Sequence, residues 1–459
     1  MDSTDLASLL RAEAYDEDTT SVSLLQTHVS YLFLTDHHVY KVKKEVNFGF
    51  LDFSTAERRH FFCREELRLN RRLCPGIYLE VRELRRGPHG LNFRGEGELV
   101  DHAVKMKRLP AERMMGELVA RGMVGEAEVR RLARLVGEFH AAAGTGPDIA
   151  SFGAPDMVAG IWEETVRQVE PFVGETLAAA DLALLREWGG GFLREKRELF
   201  FRRMSEGRVR ECNGDLHMDN IWLGEEICIF DCIEFNDRFR YLDTASDAAF
   251  LLMDFDYRGR RDLGETFLAE YLCVTGDGEA ADALPFYKTY RAMVRGKVAS
   301  LKLHDPQVPA AEIEGAREDA ERHFRLARGY VLRERLPRCL IITCGLSGSG
   351  KSTLAAELAF ELGLEVASSD ITRKLLAGGG ASGYGQELYT AEHTAATYGA
   401  LLDRAERALD AGRCIIVDAT FRRKSDRAPF LVAAAERRVP VFILAAGCSD
   451  STARQRLDA

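Results

Sequence analysis

Extended basic runs, membrane-length apolar stretches and paired cysteines are all missing from this 459-residue sequence. Basic clusters such as Arg202-Arg203 and Arg422-Arg423-Lys424 are short and interleaved with acids. The net charge is −10, so nucleic acid is not expected as a partner. No apolar run approaches the ~20 residues of a membrane span, and no membrane partner is expected. Ten cysteines occur without C-x-x-C spacing, and Cys228, Cys344 and Cys414 sit inside apolar runs, as reduced, buried thiols do. The start, Met1-Asp2-Ser3-Thr4-Asp5, lacks the basic residues and long apolar core of a signal peptide, so a cytoplasmic location is expected. The length exceeds one ordinary core and predicts about two or three domains.

What is present centres on Asn213–Glu234. Asp215 and Asn220 stand five positions apart, followed by an apolar strand over 227–230 that ends at Asp231. This is the D-x-x-x-x-N spacing of a phosphoryl-transfer loop, in which the Asp accepts a hydroxyl proton and the Asn and the later Asp hold Mg²⁺. Upstream, residues 29–34 and 39–43 read as two strands. The second places Val39, Lys41 and Lys43 on one face. Lys41 fits a phosphate-gripping role best, with Lys43 as the alternative. A helix over 54–72 carries Glu65 and Glu66, one of which pairs with the strand lysine; Glu66 is preferred because Leu69 and Leu73 share its face. Strands follow at 77–84 and 98–108, with a hinge at Lys105–Pro110. Helices are expected over 126–143, 156–168, 178–204, 284–303 and 310–335. His140 reads as a satisfied core histidine. Arg291 and Arg295 share a helix face, where ion pairing to Asp243 or Asp247 is expected.

The stretch Gly214-Asp215-Leu216-His217 with Asn220 resembles the aminoglycoside phosphotransferase family, whose fold is that of protein kinases. Asn213 stands where that family usually has a structural His. The resemblance implies a nucleotide site built from Lys41, Glu66, Asn220 and Asp231, and structural bracing of the loop by Asp243 and Asp247.

A second site follows Pro337, which marks the expected domain boundary. An apolar strand over 338–344 leads into Gly345-Leu346-Ser347-Gly348-Ser349-Gly350-Lys351-Ser352-Thr353 and then a helix. G-x-x-x-x-G-K-[ST] between strand and helix is a P-loop: backbone N–H groups wrap phosphates, Lys351 reaches the β/γ oxygens and Ser352 ligands Mg²⁺. A strand over 365–368 precedes Asp370 and Arg373, read as acceptor-orienting base and phosphate holder. Another over 414–417 ends at Asp418, the second carboxylate of the magnesium shell. This part resembles small P-loop kinases of the polynucleotide and gluconate type. Those continue past the fourth strand, Val441 to Leu444, with an arginine-bearing lid and a fifth strand. Here Ser451–Ala459, with Arg454 and Arg456, only begins a lid helix.

The expected architecture is an α+β kinase-like two-lobed domain, N-lobe 1–110 and helical C-lobe 111–335, followed by an α/β P-loop domain over 337–459 with a parallel sheet, apparently truncated and without its lid. The expected activity is ATP- and Mg²⁺-dependent phosphorylation of a small-molecule hydroxyl, with Asp215 and Asp370 as catalytic residues. The rival reading is an inactive kinase-like sensor attached to a P-loop ATPase or kinase.

Overall fold

The computed structural model describes residues 1–305, 308–376 and 390–458. The chain divides into two compact units, residues 1–168 with 189–291, and residues 169–188 with 292–459.

In the first unit, β1 (Ser23–Gln26), β2 (Ser30–Leu34), β3 (His38–Lys43), β4 (Tyr78–Gly87), β5 (Gly90–Asn92) and β6 (Glu98–Lys107) form an antiparallel sheet in the order β1-β2-β3-β6-β4-β5. Alternation along β3 sorts its side chains. Tyr40 and Val42 enter a core with Phe33, Leu84 and Phe93, and Lys41 and Lys43 point to the opposite face. That face is covered by the helix Ala56–Asn70, whose N-terminus is capped by the Thr55 side chain accepting from the Arg58 N–H. The buried Arg59 fixes this helix to the sheet by donating to Asp101 at 2.7 Å and to the Phe53 carbonyl at 2.9 Å. Both strands and the helix lie within two residues of the bounds read from the sequence.

The rest of the unit is mostly helical, with short strand pairs that shape one loop: β7 (Val209–Glu211), β8 (Ile221–Leu223), β9 (Ile227–Ile229) and β10 (Tyr241–Asp243), paired β7 with β10 and β8 with β9. Behind them the helix Thr244–Tyr257 is buried along nearly its whole length. Its N-cap Asp243 is held by Arg203, which donates at 2.7 Å to each carboxylate oxygen and also reaches Asp277 at 2.8 Å. The helix expected over 178–204 is two, Ala179–Glu195 and Arg197–Ser205. Lys196 leaves helical geometry between them, at φ −102° and ψ 18°.

In the second unit, β11 (Leu340–Cys344), β12 (Glu365–Ser368), β13 (Ile415–Asp418) and β14 (Val441–Ala445) form a parallel sheet in the order β12-β13-β11-β14. The helix Ala310–Arg335, which precedes Pro337 in sequence, packs on the helix Lys351–Leu362. Arg325 and Arg328 donate to Glu361 at 2.8 and 2.6 Å, and Arg333 to the Leu362 carbonyl at 2.7 Å. Compactness thus groups this helix with the P-loop, together with residues 169–188 and the end of the helix Ala280–Lys302. No described helix is long and apolar enough to cross a membrane.

Arg203 is 1% exposed between two buried acids. Removing one member of a buried charge cluster leaves the others uncompensated, so Arg203→Leu is expected to cost roughly 3–5 kcal/mol in urea unfolding. A cost under about 1 kcal/mol, the range of surface pairs, would show that the cluster does not hold the first unit together.

Candidate functional site

The Asp215 loop is shaped by backbone contacts to buried acids. Asp247, fully buried, accepts from the N–H groups of Asn213 at 3.0 Å and Gly214 at 2.9 Å. Burial acts to raise its carboxyl, and the His140 hydrogen bond and charge, with Arg291 nearby, bring it below the usual carboxylate range. His140 is satisfied in turn by the Tyr271 hydroxyl at 2.8 Å, as a core histidine. Asp254 accepts from the Met218 N–H at 2.8 Å. Gly214 has φ +87°, and a Cβ there would stand 2.4 Å from the Phe239 carbonyl oxygen, so only glycine fits. Of the two acids expected to pair with Arg291, Asp243 and Asp247, neither forms a direct ion pair, though the Arg291 charge helps lower Asp247. Arg291 donates to the carbonyls of Gly214 at 3.1 Å and Ser246 at 3.2 Å, and Arg203 takes the place beside Asp243. The loop is therefore clamped from its N–H side by Asp247 and from its C=O side by Arg291.

Within the loop, the Asn220 side chain donates to the Asp215 carboxylate and to its backbone carbonyl, both at 3.0 Å. His217 Nε2 lies 3.4 Å from the same carboxylate. The β8–β9 hairpin then delivers Asp231, which has φ +58°, an uncommon left-handed conformation for a non-glycine residue. Asp231 accepts from Lys41 Nζ at 2.7 Å, and Lys41 also meets Glu66 at 2.9 Å. Residues 190 positions apart in sequence thus converge.

The alternatives left open by the sequence resolve into a shared arrangement. Lys43 is as much a partner of Glu66 as Lys41 is, at 2.6 Å, and it contacts Glu234 as well. Glu65 instead pairs with Arg68 at the surface. Burial acts to raise Glu66, but the two lysines hold its carboxyl at about 2 against an ordinary 4.5. Burial and the nearby Glu66 charge raise Glu234 despite Lys43. Three carboxylates share two ammonium groups, and among the three only the Asp231 side chain is substantially exposed, at 47%. From sequence Lys43 was only the alternative to Lys41, and Glu234 was not assigned to this cluster. The available signal for Glu234 was a charged residue three places past Asp231, flanked by Cys232, Ile233 and Phe235.

In the second unit the P-loop enters the helix Lys351–Leu362 through Gly348 and Gly350, with φ +77° and +88°. Ser352 Oγ donates to Asp418 at 2.7 Å, and Thr343 on β11 donates to its other oxygen at 2.6 Å. Strand order explains this, because β13 lies beside β11. Gly345 and Ser349 complete the loop, with Lys351 half-buried and Thr353 exposed. Asp370 is exposed in the first turn of the helix Ser369–Leu376 rather than capping it; Arg373, in the same helix, is buried and reaches Thr394 at 3.5 Å. Arg456, on the helix Asp450–Asp458, donates to the Gly348 carbonyl at 3.3 Å.

A family model described as AAA domain matches residues 340–459. The chain is 32% identical over 410 residues to the uncharacterized protein Rv2004c of Mycobacterium tuberculosis, covering 88% of this chain and 79% of that one. Among solved structures, it is similar to a choline/ethanolamine kinase family protein from Mesorhizobium loti, at 14% identity over 71% of this chain and 99% of that chain, with a TM-score of 0.40. It is also similar to a Plasmodium vivax ethanolamine kinase, at 11% identity over 69% and 83%, with a TM-score of 0.39.

Because the Glu66 carboxyl is lower in the folded chain than its ordinary 4.5, its contribution to stability is present above about pH 4.5 and is lost as pH falls toward about 2. Glu66→Gln is expected to lower the melting temperature at pH 6 and to narrow the gap from wild type at pH 3. An equal gap at both pH values would show that Glu66 is not held ionised by the lysines.

Proposed function

The chain belongs to the same family as the mycobacterial protein Rv2004c, and from that premise we propose that its first unit is an ATP-dependent phosphotransferase acting on the hydroxyl of a small molecule. The observation that carries this reading is the meeting of Lys41, Glu66 and Asp231 beside a loop that fixes Asp215 against Asn220. Asp215 accepts the acceptor's proton, and the Asn220 amide holds its carboxylate in one orientation. Lys41, steadied by Glu66, neutralises phosphate oxygens. Asn220 and Asp231 are the residues that would hold Mg²⁺. Hard oxygen donors, one of them on a half-exposed carboxylate, suit that ion. When bound, it would supply charge neutralisation on the phosphates.

The second unit is proposed as another ATP site. Lys351 and the P-loop N–H groups cradle the phosphates, Ser352 and Asp418 are the residues that would hold Mg²⁺, and Asp370 and Arg373 would serve the acceptor. A cytoplasmic setting is supported by the cysteines, all of which are free thiols.

Asp215→Ala is expected to lower ADP release against a panel of hydroxylated metabolites by roughly 10²–10⁴-fold, with ATP affinity nearly intact. Unchanged turnover would remove Asp215 from the base role. Calorimetry is expected to resolve two Mg·ATP sites per chain, one lost in Lys351→Ala and the other weakened in Lys41→Ala. A single site that Lys351→Ala eliminates would favour an inactive kinase-like sensor joined to a P-loop enzyme.

A further inference from the structure

The first unit holds a cavity of about 450 Å³, within the size range of small-molecule pockets. Its walls come from two places. One is the turn between β3 and the Glu66 helix together with the first turns of that helix, which supply Phe50, Asp52, Arg58, Phe61 and Phe62. The other is the segment after Asp231, which supplies Phe235. The turn is built rather than loose. Phe48 N–H donates to the Leu51 carbonyl at 2.9 Å, Phe53 N–H to the Val46 carbonyl at 2.9 Å, and Gly49 takes φ +81°. Asn236 donates to the Phe50 carbonyl at 2.9 Å, tying the turn to the opposite wall.

Two residues, Phe239 and Phe235, link the cavity to the proposed chemistry. The Phe50 ring lies 6.2 Å from Phe235 and 6.3 Å from Phe239. The Phe239 carbonyl is the group that excludes a side chain at Gly214, the residue before Asp215. Phe235 directly follows Glu234 of the lysine cluster. The lining is chiefly ring faces. Asp52 and Arg58 pair with each other, and Glu57 adds an exposed carboxylate at the edge of the rings. Yet Phe50 is 51% exposed, a large apolar ring left to water in a cavity where several rings converge.

We propose that this cavity takes the flat, apolar portion of the hydroxylated acceptor, leaving its hydroxyl to reach Asp215; this rests on the phosphotransferase reading. Ring faces select planar apolar groups by offset or edge-to-face contact, and binding remote from the reacting atoms lowers KM without requiring a change in the chemical step.

The test uses the full chain with Mg²⁺ and a non-hydrolysable ATP analogue, and 2-(2-naphthyl)ethanol as the probe. Binding is read by saturation-transfer NMR, and ADP release with ATP is read separately. Phe50→Ala, at a half-exposed site compatible with folding, is expected to weaken probe binding about tenfold, with ATP affinity unchanged. Phe201→Ala, equally exposed on the helix Arg197–Ser205, is expected to leave probe binding unaltered. Where the probe is phosphorylated, Phe50→Ala raises KM and leaves kcat near wild type. Probe binding that is absent, or equal in Phe50→Ala and wild type, overturns the subsite, as does ADP release above background that is as fast with glycerol as with the probe. Ring binding lost in Phe50→Ala supports the subsite even if no acceptor releases ADP, an outcome that counts against the phosphotransferase reading alone.

Discussion

Two lysines on one strand, buried against the same glutamate, are the constraint on which the first unit turns. Desolvating Lys41, Lys43 and Glu66 is costly, and each is tolerable only while the others stay in place. The register of β3, the rotation of the helix Ala56–Asn70 and the path of the chain after β9 must therefore agree. Asn70, one turn beyond Glu66, adds a link. Its side chain donates to the Glu66 carbonyl at 2.9 Å and accepts from the Cys232 N–H at 2.9 Å. A shift of the helix would strip a partner from the backbone next to Asp231.

The Asp215 loop obeys a similar logic in backbone terms. Its N–H and C=O groups are buried and need partners. Asp247 and Arg291 supply them from two neighbouring helices. The loop's conformation is thus dictated by packed helices rather than by its own sequence, and this suits a site that must be in place before a ligand arrives.

How legible this was depended on distance along the chain. Asp215 with Asn220, and the P-loop, are short patterns in which one residue predicts the next; the structure joins Asn220 to Asp215 and Ser352 to Asp418, whereas the side chain of Asp231 meets Lys41. The alternation of β3 correctly put Lys41 and Lys43 on one face, but two lysines on a strand read equally well as a solvated edge. Only the arrival of Glu66 and Glu234 buries them, and that pairing spans 191 positions. Arg203 was unreadable for the same reason: nothing local distinguishes an arginine bound for two buried acids from one on a charged helix surface. The break at Lys196 escaped because flanking residues favour helix on both sides, and aromatic residues around Phe50 carry no periodicity.

The packing of the helix Ala310–Arg335 bears on how the P-loop half can be handled in the laboratory. Gly329 lies against the backbone of Glu361 so closely that a Cβ would stand 1.8 Å from the carbonyl oxygen. A fragment started at Pro337 would leave that bare seam, the Phe360 ring beneath Arg322 and the acids that face Arg325 and Arg328 open to solvent. Such a fragment would be prone to self-association through its first helix, whereas one begun ahead of Ala310 would keep its own cover.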